Sequence, residues 1–86
     1  MATTSEVLGQ AQQLAMEARI RAGMMVSDYR RNNIARLRRA KTAAERCARL
    51  AAELAATAFQ AADLLDAELR ATRSQIQAEF NADSQQ

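Results

Sequence analysis

An all-α fold is predicted by three features of the 86-residue chain. Proline is absent, glycine occurs only at Gly9 and Gly23, and apolar residues recur at helical spacing almost from end to end. The apolar fraction of 49% is misleading as a measure of core, because 21 of those residues are alanine and the aromatic residues are only Tyr29, Phe59 and Phe80. Alanine favours helix but offers little surface to bury, and a chain this short hides only about 60–65% of its unfolded surface. The expectation is one helical unit spanning residues 1–86, either a long helix or a two-helix antiparallel hairpin, with coiled-coil-like packing against partner helices.

The first helix is expected to begin near Thr4 or Ser5, since Thr3 and Glu6 have the spacing of a capping box. Residues 1–4 and the polar tail 81–86 are expected to fray. Gly23 costs about 1 kcal/mol relative to alanine in a helix interior, yet no turn residues surround it, so the helix should pass through. Two breaks are plausible on chemical grounds. Asn32-Asn33 tolerates the left-handed conformation, and Thr42 with Glu45 repeats the capping-box spacing. Thr42 carries more signals, and a turn there would give two nearly equal helices with Glu53 opposite Arg31 and Asp63 opposite Arg21. Without a break, a helix from Thr4 to Asn81 would run for about 115 Å at 1.5 Å per residue.

A stripe can be followed through Val7, Ala11, Ala15, Ala18, Ala22, Val26, Tyr29, Asn33, Leu37, Ala40, Ala44, Ala48, Ala51, Ala55, Ala58, Ala62, Leu65, Leu69, Arg73, Ile76 and Phe80. Its twenty steps cover 73 residues, or 3.65 per step. That period lies nearer to eleven-residue than to seven-residue repeats, which points to long helices packed without heptad winding. The bulkier residues Leu50, Leu54, Phe59, Leu64, Leu65, Leu69, Ile76 and Phe80 collect in the second half, where most of the binding energy is expected.

The net charge of +2 conceals an end-to-end asymmetry. Arg19 to Arg49 holds ten basic and two acidic residues, whereas Leu50 to Gln86 holds two basic and six acidic ones. A helix macrodipole favours the reverse order, so the pattern points to a partner rather than to helix stability. The lone Cys47 excludes an internal disulfide, fits a reducing compartment and reads as a small buried thiol on the apolar side. No apolar run is long enough for a transmembrane segment, and MATTSEVLG lacks a signal core, so a cytoplasmic location is expected.

Histidine is absent, and one cysteine cannot assemble a metal cluster or a Cys/His pair. No glycine-rich loop suggests a nucleotide pocket, and Asp63, Asp66 and Glu68 read as a solvated face. The chain is therefore expected not to be an enzyme and to have no catalytic residues, metal or cofactor. A non-catalytic structural or interaction protein is the expected function.

Two resemblances bear on the partner. Arg31-Asn32-Asn33-Ile34-Ala35 resembles part of the basic region of leucine-zipper transcription factors, whose zipper positions would be Leu50, Thr57, Leu64 and Ala71. Half of these are not leucine, which weighs against nucleic acid as the partner. A longer match joins Gln12-Gln13-Leu14, Glu17-Ala18, Val26-Ser27, Arg30-Arg31 and Arg36-Leu37-Arg38-Arg39-Ala40-Lys41-Thr42, followed by Ala44. In order and spacing these resemble the G component of the peripheral stalk of vacuolar-type proton ATPases. That resemblance implies a helical strut on the cytosolic face of a membrane complex, paired with a long helix of the stalk's E component. It further implies that Val26, Leu37, Ala40, Ala44, Ala51, Leu54, Ala58, Leu65 and Leu69 pack against the partner, while Arg36, Arg38 and Lys41 meet its acidic rim. The alternative is a small helical-hairpin adaptor or chaperone that self-associates, or clasps an amphipathic partner through Leu50, Leu54, Leu64, Leu65 and Leu69.

Overall fold

In the computed structural model, which describes residues 2–84, two helices account for nearly everything: α1 (Thr4–Asp28) and α2 (Ile34–Ser84). No strand occurs among the described residues. Helix α1 starts as its sequence dictates. Thr3 is extended, its Oγ1 accepts a hydrogen bond from the Glu6 amide at 3.2 Å, and the helix continues without interruption through Gly23.

The chain reverses at Tyr29–Asn33, the first of the two candidate breaks and not the favoured one. Asn32 holds φ at +63°, the left-handed conformation that asparagine tolerates better than most residues. Asn33 then caps α2, its Oδ1 accepting from the Arg36 amide at 3.1 Å. Thr42 begins nothing: its hydroxyl donates to the Arg38 carbonyl at 3.1 Å inside an unbroken helix. A threonine hydroxyl can be satisfied by its own helix, so the capping-box spacing there needs no turn. The pairings of Glu53 with Arg31 and of Asp63 with Arg21 disappear with the Thr42 turn.

The two helices lie antiparallel. Arg36 Nη1 meets Asp28 Oδ1 at 3.4 Å beside the turn, and the Cys47 thiol donates to the Ala18 carbonyl at 3.6 Å farther along. Because α1 has 25 residues and α2 has 51, α1 covers only the first part of α2, and the rest projects as an arm. The molecule measures 79 × 21 × 13 Å with a radius of gyration of 21.7 Å, against about 12 Å for a globule of this length. This is shorter than a continuous helix and longer than a hairpin of equal halves.

The seam between the helices is a heptad seam. In α1 it comprises Thr4, Val7, Ala11, Leu14, Ala18, Arg21, Met25 and Asp28. In α2 it comprises Arg36, Ala40, Ala43, Cys47, Leu50, Leu54, Thr57, Ala61 and Leu64, eight steps over 28 residues or 3.5 per step. Every covered residue except Ala22 and Ala44 falls on this repeat. The expectation of packing without heptad winding is therefore overturned for the pair α1–α2. The physical reason is side-chain size. The 3.65 stripe is nearly all alanine in this region, whereas the heptad seam places Leu14, Met25, Leu50, Leu54 and Leu64 where burial stabilises most.

The core is thin: among the described residues only Val7, Ala40, Ala43 and Ala61 are buried, Val7 alone completely. Helix α2 continues through Asn81 to Ser84, part of the tail expected to fray, held by side-chain bonds from Gln77 to Asn81 at 3.2 Å and from Ser84 to the Asn81 carbonyl at 3.0 Å. The remaining parts of the fraying expectation at Met1, Gln85 and Gln86 lie outside the described residues.

Two expectations follow for stability. Asn32→Gly should leave unfolding free energy, measured by urea titration, within about 0.5 kcal/mol, whereas Asn32→Val should cost about 1–3 kcal/mol by forcing a β-branched residue to positive φ. Ala43→Leu should cost about 1–3 kcal/mol by overfilling the seam, while Ala51→Leu, at an exposed position, should change little.

Candidate docking face and basic groove

Because a helix turns 100° per residue, the positions immediately before and after each seam residue form the two flanks of the hairpin. On α2 the residues after Arg36, Ala43, Leu50, Thr57 and Leu64 are Leu37, Ala44, Ala51, Ala58 and Leu65. The residues before Ala40, Ala43, Cys47 and Leu50 are Arg39, Thr42, Arg46 and Arg49. One flank of α2 is thus apolar and the other basic as far as Arg49, beyond which it carries Glu53, Gln60 and Asp63, and in the antiparallel hairpin each meets the corresponding flank of α1.

On the apolar flank α1 contributes Leu8, Ala15, Ala22 and Val26, of which Leu8 and Val26 are exposed. Beyond Leu64 the seam partner ends, and α2 alone carries the stripe onward through Leu65, Leu69, Ile76 and Phe80. Their spacing of four, seven and four residues keeps them on one helical face. Leu65 and Leu69 are nearly half exposed and Phe80 is 66% exposed, so this part of the stripe is uncovered. The arm's former seam line has meanwhile lost its leucines, reading Glu68, Ala71, Gln75 and Ala78.

Opposite, Arg21, Met24 and Asp28 of α1 and Arg38, Arg39, Thr42, Ala43 and Arg46 of α2 line an open groove of about 340 Å³. The only carboxylate on it, Asp28, is largely covered and faces Arg36. The only other ion pair among the described residues is Asp66–Arg70, at 2.7 Å on the arm. Arg21 makes its contact with the Met24 sulfur at 3.6 Å instead.

The residues expected to contact a partner divide between these surfaces. Leu37, Ala44, Ala51, Ala58, Leu65 and Leu69 line the apolar flank and its extension, and Val26 sits beside them near the turn. Ala40 and Leu54 lie under α1, within the hairpin seam, as do Leu50 and Leu64 of the adaptor reading. Arg36 belongs to the turn-end pair with Asp28, Arg38 lines the basic groove, and Lys41 is exposed. The basic segment Arg31–Ala35 is not a continuous helix, because the turn passes through Asn32-Asn33, and the bend removes the straight basic helix that major-groove reading requires. Cys47 is half-buried on the seam.

Sequence reasoning missed the groove because Arg21 lies far from Arg38, Arg39 and Arg46 in the chain, and only the choice of turn brings them together. The bare heptad of Leu50, Thr57 and Leu64 was the available signal for the correct seam. No helix of the described residues is long and apolar enough to cross a membrane, and no cluster among them could hold a metal ion.

An arm of some 20 residues with no tertiary packing is marginal as a helix in water. Backbone amides from Leu69 to Asp83 should therefore exchange with deuterium much faster than those from Ala40 to Ala61, as measured by mass spectrometry on the free protein. No family model, curated protein or solved structure matches the chain.

Proposed function

We propose that the chain is a non-catalytic interaction module, a helical hairpin that presents its arm and apolar flank to a partner helix. The observation carrying this reading is the uncovered stripe Leu65, Leu69, Ile76 and Phe80 on a helix that α1 does not reach. Helix-in-groove recognition uses anchors at this spacing, and the groove beside α1 extends the same stripe along Ala58, Ala51 and Ala44. Small residues there let a partner backbone approach closely, while the large residues on the arm provide the anchoring contacts. The acidic residues Asp63, Asp66, Glu68, Glu79 and Asp83 suit a partner whose rim is basic.

The long axis of 79 Å favours a second reading, a strut of the kind suggested by the resemblance to the peripheral stalk of vacuolar-type proton ATPases. In that case the partner helix would belong to a rotary ATPase, and capture of the native complex would bring other components of that ATPase with it.

Affinity capture of the full chain from its host tests the docking face. Leu69→Glu combined with Ile76→Glu should weaken partner recovery by about 10-fold or more while leaving the hairpin's melting temperature unchanged. Met16→Glu with Ile20→Glu, two exposed positions on α1 away from the stripe, should leave recovery intact. Equal recovery with both double variants would remove the arm as the docking face.

A further inference from the structure

We propose that the basic groove between α1 and α2 binds a compact, multiply charged phosphate group, either a soluble polyphosphate or the headgroup of a phosphorylated lipid. Four arginines, Arg21, Arg38, Arg39 and Arg46, line one groove from two helices. None has a carboxylate within salt-bridge distance among the described residues. Asp28, the one acid lining the groove, is directed to Arg36, and Glu17 stands beside Arg21 in the adjoining pocket, so the arginines outnumber the nearby carboxylates.

A merely solvated charged face would not need this arrangement. Acidic and basic residues usually alternate on such a face, yet from Ile34 to Ala44 there is no acidic residue at all. Like charges crowded on one wall repel, and an anion relieves that repulsion. The groove's floor is partly apolar, with Ala43 buried and Met24 beside Arg21, so charges there interact more strongly than they would in open water.

Phosphate suits the site better than the other anions. Guanidinium forks match phosphate oxygens in pairs, and four forks around about 340 Å³ call for several charges in a small volume. That volume lies at the lower end of the range for small-molecule sites. No aromatic residue lines the groove, so a nucleobase has nothing to stack on.

Calorimetric titration of the full chain with inositol hexakisphosphate at about 150 mM salt, where exposed charges are well screened, tests the proposal. Binding is expected, and Arg39→Gln with Arg46→Gln should weaken it by about 10-fold or more. Arg70→Gln with Arg73→Gln removes the same charge from the arm and should change affinity by less than about 2-fold if binding is local. Should the first variant unfold, Arg39→Lys with Arg46→Lys keeps the charge, removes the forks and should still weaken binding severalfold. Vesicles carrying phosphatidylinositol bisphosphate, compared with phosphatidylserine vesicles of equal total charge, identify the source. Preference for the bisphosphate vesicles over the free polyphosphate assigns the site to a lipid headgroup, and the reverse assigns it to a soluble anion. Absence of binding at this salt concentration, equal weakening by the groove and arm variants, or equal affinity for a polyglutamate peptide overturns the proposal.

Discussion

The architecture depends on where the chain reverses. One asparagine at positive φ and a second capping the next helix place the turn at about a third of the chain, so the two helices cannot match in length. With α1 roughly half as long as α2, the heptad seam must end near Leu64, and whatever apolar surface lies beyond it stays uncovered. A turn at Thr42 would have balanced the helices and left no arm. The turn also sets the pairing register, because Asp28 and Arg36 on either side of it close the last layer of the seam. An ion pair of this exposure contributes at most about 1 kcal/mol, so its effect lies more in register than in stability.

From that register the two flanks follow by geometry alone. A step of one residue either side of a heptad seam is a rotation of 100°, so α2 carries three parallel strips with different chemistry: alanine and leucine after the seam, the seam itself, and before it a strip rich in arginine as far as Arg49. The antiparallel arrangement lays like-positioned flanks of α1 and α2 side by side. Leu8 and Val26 therefore join the apolar side, and Arg21 joins the arginine side. A hairpin with so little fully buried surface has few other means of separating two surfaces of different chemistry, and here the helix phase does it without a loop or a second domain.

Much of this was legible beforehand, and the failures have a common cause. The all-α class, the Thr3 cap and passage through Gly23 are local matters of propensity and spacing, and local physics decided them, whereas Cys47, expected to be buried, is only half covered, by α1. The turn and the seam period are competitions between nearly equal local options that tertiary packing settles. Thr42 had better capping chemistry than Asn32-Asn33, but a turn there would break α2 between Ala40 and Cys47, residues that lie on one continuous seam. The 3.65 period was a genuine pattern, but it is not the seam between α1 and α2. Read within α2 it mostly traces the exposed apolar strip, because alanines on a helix mark close approach equally well inside a hairpin or outside it. Leu37, Ala51, Ala58, Leu65 and Leu69 consequently fall on one exposed strip, whereas nothing in the stripe pointed to the arginine groove.

The order of charge along α2 is hard to explain by helix stability. Its first turn has no acidic residue and its last turn no basic one. Arg36, Arg38, Arg39 and Lys41 stand near the positive end of the macrodipole, and Glu79 and Asp83 near the negative end. Each misplaced charge within a terminal turn costs about 0.3–1 kcal/mol at an exposed site, and the protein has little buried surface from which to offset it. At the turn the carboxyl terminus of α1 lies beside the amino terminus of α2, so the two helix dipoles oppose one another there and the positive field over the groove comes from its arginines. At the other end the dipole and the carboxylates of the arm add in the negative sense. Helix stability therefore does not account for the charge order, which leaves a basic surface beside the turn and an acidic one on the arm.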